Sequence, residues 1–296
     1  MIAREWPLAA RQGMKGRQMR WLICALLILG LSPRAFAQDF DILRGSESVG
    51  PATFTNWTGF YFGGQWGYTD GFADFSAATS GPIAYALRDT SLEDTVSPSD
   101  WPVLGHASSA RQSFGGFFGY NTQWQDLMLG VEADLEHATF DLNASNYPLT
   151  RVVADGAGNT DELTLSGSGS LNNVNYVTLR GRAGWILGNF LPYGFLGFAV
   201  GEGDLAVTAT VNGIQNPPSS GVCSSKNTPP CVPFSFSGSI GRPNELLYGG
   251  VIGAGVDVAV MRNVFLRGEF EYLSFAPVSN VVAGATTIRI GGGLKF

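Results

Sequence analysis

From residue 57 onward, apolar and polar positions alternate at period two over segments of about 9–11 residues, the length of a membrane-spanning β-strand. In the final segment, Ile288, Ile290, Leu294 and Phe296 fall on one face, with Arg289 and Lys295 on the other. In Val264–Phe275, Leu266, Phe270 and Tyr272 oppose Arg267, Glu269 and Glu271. Leu127, Leu129, Val131, Ala133 and Leu135 oppose Glu132, Asp134 and Glu136, and Val177, Leu179, Ala183, Trp185 and Leu187 oppose Arg180 and Arg182. Helical periods are scarce. No stretch after the N-terminal region reaches the roughly 18 apolar residues of a spanning helix, and Leu246–Val260 is interrupted by Asp257.

The pattern predicts eight strands, over 57–70, 112–123, 127–141, 173–187, 191–209, 245–260, 264–275 and 285–296. Three-residue turns at 124–126, 188–190 and 261–263 alternate with long polar stretches at 71–111, 142–172 and 210–244 and a shorter one at 276–284. Short turns alternating with long loops suit an all-β, eight-stranded antiparallel up-and-down transmembrane β-barrel, its turns in the periplasm and its loops outside. A soluble barrel or sandwich shares the alternation, but its strands are rarely this rich in Gly.

The N-terminal region reads differently. Arg4, Arg11, Lys15, Arg17 and Arg20 precede an apolar run from Trp21 to Leu31, and Ala35-Phe36-Ala37 follows. This is the pattern of a secretory signal peptide over 1–37, cleaved before Gln38, with Met14 or Met19 as alternative starts. The apolar run is short for an anchor, although an N-terminal anchor is the competing reading. Cys24 leaves with the signal. Residues 38–56 form a short periplasmic lead-in, and 57–296 form the barrel.

Composition sharpens this picture. The whole chain carries 18 Lys+Arg and 24 Asp+Glu. Removing the six basic residues and one acidic residue of 1–37 leaves 12 against 23, a net charge of −11. An acidic chain lacks the basic footprint that nucleic acid requires. The 40 Gly fit a tightly curved wall, because Gly in a strand is costly unless backbones approach closely or a barrel bends. Trp57, Tyr120, Trp124, Trp185, Tyr193, Tyr248, Phe265 and Tyr272 lie near segment ends, where interfacial aromatic girdles belong. Cys223 and Cys231 bracket a polar, Pro-rich segment and predict a loop disulfide in an oxidising compartment.

The segment Asn56-Trp57-Thr58-Gly59-Phe60-Tyr61-Phe62-Gly63-Gly64-Gln65-Trp66-Gly67-Tyr68 resembles the first-strand signature of the small outer-membrane β-barrels of alphaproteobacteria, the outer-membrane immunogenic or porin-family proteins. The terminal Phe296 resembles the signal by which barrel-assembly machinery recognises its clients. The resemblance covers 57–296 and implies an eight-stranded barrel with an exposed outer half and no catalytic residues. The Cys-containing third loop and the 38–56 lead-in depart from the simplest members.

With charges turned inward, the lumen would hold Glu132, Asp134, Glu136, Glu202, Asp204, Asp257, Glu269 and Glu271 with Arg180, Arg182, Arg267, Arg289 and Lys295. An Arg or Lys on the lipid face costs about 2–4 kcal/mol at mid-membrane, so the interior is their natural place. A salt-bridged plug predicts a structural, surface-presenting protein. The excess of acidic groups leaves a second reading open, a small gated, weakly cation-selective diffusion pore. Expected partners are outer-membrane lipid and lipopolysaccharide, the assembly machinery, and host or phage surface ligands on the loops.

Enzymatic chemistry is thin. The two histidines are His106, read as a solvated loop residue near Ser108 and Ser109, and His137, read as interfacial beside Glu136. No HExxH or CxxC occurs, and the Gly pairs lie in strands rather than before a helix. The sequence therefore predicts no enzyme, cofactor or metal site. Asp70, Asp74, Glu93, Asp94 and Asp100 lack a spaced ligand pattern and are read as solvated.

Overall fold

The computed structural model describes residues 55–296 apart from 147, 157, 219–222 and 224–227. The expected signal peptide and nearly all of the lead-in lie outside the described residues. Eight long strands close into one barrel: β1 (Gly59–Asp74), β2 (His106–Trp124), β3 (Leu127–Ala138), β6 (Thr160–Trp185), β7 (Phe190–Gln215), β8 (Val232–Ala259), β9 (Val264–Phe275) and β10 (Val282–Lys295). Each pairs antiparallel with its neighbour in the chain, β3 meeting β6, and β1 closes the ring against β10. Two short strands, β4 (Asp141–Ser145) and β5 (Leu149–Ala154), pair with the upper part of β6.

The eight strands fall where alternation predicts them, but several are longer. β6 begins at Thr160, β7 runs on to Gln215 and β8 begins at Val232, so much of 142–172 and 210–244 is sheet rather than loop. In this upper part the pattern is inverted. Leu163, Leu165, Leu171, Leu205, Val207 and Val211 face inward and are buried, while Ser168, Thr208 and Asn212 face out. Here the outer face is polar, so the apolar side turns to the interior, away from water. A bulge between Asn172 and Asn175 lets β6 change parity at this level.

The first long connection folds as well. It contains α1 (Ser80–Leu87), α2 (Ser91–Val96) and a 3-10 turn at Pro98–Asp100. The Thr90 hydroxyl accepts from the Glu93 amide and caps α2. Ile83, Leu87, Leu92 and Val103 pack with Leu163, Leu165, Ala209 and Val211 in an apolar cluster that ties the helices to the sheet. Each Ile, Leu or Val side chain among them contributes about 1.5–3 kcal/mol on full burial.

At the opposite end the connections are short. Gln125 and Asp126 join β2 to β3, and Gly188 adopts φ +65° in the β6–β7 turn, a left-handed conformation that suits Gly. Both ends of the barrel chain, Gly59 and Lys295, lie with these turns.

Candidate functional site

The outer wall is apolar over a limited height. On β7 the outward positions Phe190, Pro192, Gly194, Leu196, Phe198 and Val200 precede Glu202, with Phe198 78% exposed. Ten residue steps at about 3.3 Å, tilted about 40°, span roughly 25 Å, the height of an outer-membrane apolar band. Trp124 and Trp185 are exposed at the short-turn end; Tyr248 and Tyr272 are exposed toward the long-loop end. Tyr120 is also exposed. Trp57, Tyr193 and Phe265, expected in the girdles, are instead buried in the lumen, because they share inward parity with the charged residues. This interior is the candidate functional site.

Six carboxylates and four guanidiniums meet in the lumen, none more than 4% exposed. Register positions them: Glu132 stands opposite Arg180, Asp257 opposite Arg267, and Glu269 opposite Arg289. Arg180 donates through Nε to Glu132 (2.7 Å) and reaches Glu271 (3.0 Å), Asp134 (3.2 Å) and Glu269 (3.1 Å). Its second terminal nitrogen also meets Glu132. Arg182 binds Glu132 (2.9 Å) and Asp257 (2.8 Å). Arg267 grips Asp257 with two nitrogens (2.9 and 3.1 Å) and Glu132 with a third (2.8 Å). Arg289 donates to Glu269 (2.8 Å) and Glu271 (2.6 Å), with Asp134 and Glu136 at 3.5 and 3.6 Å. Planar guanidinium forks suit this multiple recognition of carboxylates.

Neutral groups complete the lattice. The hydroxyls of Tyr61 and Tyr193 donate to Glu132 (2.7 Å) and Glu269 (2.5 Å), and Gln65 donates to Asp134 (2.7 Å) and Glu136 (3.0 Å). The Arg182 guanidinium lies 3.8 Å over the Tyr193 ring and that of Arg267 3.9 Å over Phe117. These neutral partners were absent from the sequence-based site. Parity could have found them: Tyr61, Gln65 and Thr69 share the inward face of β1.

Three predicted lumen residues do not join the lattice. Glu202 is exposed on the outer face and Asp204 shares that side of β7, where it accepts from the Asn244 amide at 3.0 Å. Both sit above the apolar band, where an outward charge meets solvent. Lys295 points inward at the short-turn end, donating to the Asn56 carbonyl (2.5 Å) with its ammonium 5.0 Å from the Trp57 ring centroid. Elsewhere, Phe296 is exposed at the chain end and stacks on Phe62, with centroids 5.7 Å apart. Cys223 and Cys231 are joined in a disulfide.

Apolar layers bound the lattice. Trp57, Tyr61, Met128, Leu191 and Phe265 are buried toward the short turns, and Phe75, Phe140, Leu142, Leu171 and Leu205 toward the long loops. Glycines create room for these rings: a Cβ on Gly169 would lie 2.5 Å from the Phe75 ring, and one on Gly119 would lie 2.3 Å from the Tyr61 hydroxyl. The histidines are peripheral. His106 lies 3.5 Å from Asp74, and His137 contacts Asn175 at 2.5 Å on the outer wall. Among the described residues, no group of three or more His, Cys, Asp or Glu side chains could hold a metal ion.

No protein-family model matches the chain, and no curated protein matches it. Several solved structures are similar. Ail, the attachment invasion locus protein of Yersinia pestis, shares 12% identity over 81% of this chain and 99% of its own, with a TM-score of 0.29. Neisserial surface protein A shares 16% identity over 81% and 98%, with a TM-score of 0.31. The N-terminal β-barrel domain of Pseudomonas aeruginosa OprF shares 13% identity over 79% and 99%, with a TM-score of 0.30.

Proposed function

We propose that this chain is an integral outer-membrane β-barrel with a structural, surface-presenting role and a lumen closed to solutes. The observation that carries this reading is the buried Arg–carboxylate lattice held between two apolar layers. An eight-stranded interior is only wide enough to be filled by side chains, and here side chains fill it. The apolar outer band supports a place in the bilayer, and the Asn56–Tyr68 segment supports kinship with the small alphaproteobacterial barrels it resembles. A cleaved 1–37 signal would deliver the chain to the periplasm, with Phe296 as its assembly signal. Lipid and lipopolysaccharide would then surround the band, leaving the upper sheet and helices for host or phage ligands. No catalytic role is proposed.

The pore reading loses support. It counts eight acidic against five basic lumen groups, but with Glu202 and Asp204 outside, and Lys295 apart from the lattice, six face four. Those ten groups are consumed by one another rather than lining a passage.

Membrane fractionation of expressing cells, combined with protease shaving, tests the proposal. The mature protein should sediment with the outer membrane, migrate differently on detergent gels before and after boiling, and be cut on intact cells only in the long connections, between 75 and 105, 139 and 159, 216 and 231 or 276 and 281. A soluble protein, or one cleaved at 125–126 on intact cells, would overturn it.

A further inference from the structure

Beyond the membrane band, the cap formed by the upper sheet and the two short helices contains a carboxylate with no evident reason to be there. Asp161 points inward from β6 beside Leu163 and Leu165, opposite Val153 of β5 and Gln215 of β7. It is 1% exposed, and neither of its carboxylate oxygens has a hydrogen-bond partner among the described residues. Burying a bare carboxylate is costly unless something neutralises it. The charge that bears on it is the wrong sign. Burial and the Asp155 carboxylate together hold the Asp161 carboxyl above its ordinary range.

Asp155 is itself buried, and it is organised rather than mobile. It accepts from the Asn159 amide (2.7 Å), the Asn159 side chain (3.0 Å) and the Ser91 hydroxyl (3.4 Å). Asn159 is linked in turn to Asn216 at 3.2 Å, so the β5–β6 turn, α2 and the end of β7 converge on this carboxylate pair. Two buried acids, one held in place by the donors of Asn159 and Ser91 and the other bare, offer the anionic oxygens that a hard divalent cation takes.

We propose that Asp161 and Asp155 hold a calcium-class divalent cation that locks the β5–β6 turn and α2 onto the sheet. Among the described residues no third acidic ligand joins them, so the site has a low ligand charge. Such sites bind with Kd on the order of 0.1–1 mM, the range of extracellular modules. The surface reading above matters only for the calcium the cap would meet in life; binding to the purified protein is independent of it.

The test uses the mature protein refolded in lipopolysaccharide-free detergent micelles, its barrel verified by the gel shift on boiling. Terbium luminescence excited through tryptophan should rise and be competed by calcium, and Asp161→Asn should abolish it. Cleavage of the cap by protease should slow by a factor of 1 + [L]/Kd, about sixfold at 5 mM calcium for a Kd of about 1 mM. D161N should be insensitive to calcium and, lacking the bare charge, more resistant than the wild type in chelator. Equal terbium signals in both proteins, or wild-type cleavage unchanged by calcium, would overturn the proposal and leave a proton as the neutralising group. Loss of the gel shift in the wild type would count against the barrel reading instead.

Discussion

Replacing Arg180 with Met tests the lattice at its centre. Arg180 reaches four carboxylates, those of Glu132, Asp134, Glu269 and Glu271. Breaking one buried ion pair by removing a partner costs about 3–5 kcal/mol, because the other charge stays buried. The surroundings decide where in that range a variant falls. Six carboxylates face four guanidiniums, so the lattice carries a formal charge of −2. R180M takes it to −3 and strips a donor from four acids, which places the cost at about 5 kcal/mol or above. Glu132→Gln takes it to −1 and leaves Arg180, Arg182 and Arg267 with their other partners, Glu271 and Asp257 among them, so its cost falls near about 3 kcal/mol. Arg180→Lys keeps the charge but loses the fork and should fall between wild type and R180M. Urea unfolding in detergent micelles, followed by tryptophan fluorescence and by the gel shift, reads these differences as midpoints at constant slope. An R180M protein within about 1 kcal/mol of wild type, or an E132Q protein less stable than R180M, would refute the claim that an acid-rich, mutually neutralised lattice holds the barrel together.

Other predictions follow from the same geometry. Gly119→Val would drive a side chain into the Tyr61 hydroxyl and the Val131 carbonyl, at 2.3 and 2.7 Å from the added Cβ, and should lower stability by about 1–3 kcal/mol in the same urea assay. A midpoint equal to wild type would contradict the packing described. In chelator, the cap should become more protease-resistant on acidification. The folded Asp161 carboxyl holds its proton more tightly than the unfolded one, with its ordinary value of 3.8. The stabilisation is thus fully present below that value and is lost as pH rises through the folded value. Calcium should flatten this dependence, and a cap that weakens on mild acidification would contradict it.

Much of the barrel is legible in the alternation of apolar and charged residues. β9 and β10 are the clearest, since Arg267, Glu269, Glu271 and Arg289 mark the inward parity without ambiguity. The upper sheet is harder to read because Ser, Thr, Gly and Asn dominate 160–172 and 206–213, a composition that resembles a loop. Its strand signal is present in Leu163, Leu165, Leu205, Val207 and Val211, but it points the apolar face inward, opposite to the section with the apolar outer band. Glu202 and Asp204 lie outside the lumen for the same reason: charge marks the interior only within the height of the apolar outer band. The α2 helix had a local signal in Thr90-Ser91-Leu92-Glu93, a capping box whose cap hydrogen bond forms. The Asp155–Asp161 pair had none, because its proximity depends on β5 folding back on β6.

The measurement that reaches the central claim most directly is conductance of the purified, refolded protein in planar bilayers. The filled lumen predicts no discrete steps at high protein load or across applied voltage, and no selectivity for cations. Reproducible unitary steps that disappear on boiling the sample, and that change with Glu136→Gln or Asp134→Asn, would contradict a closed interior.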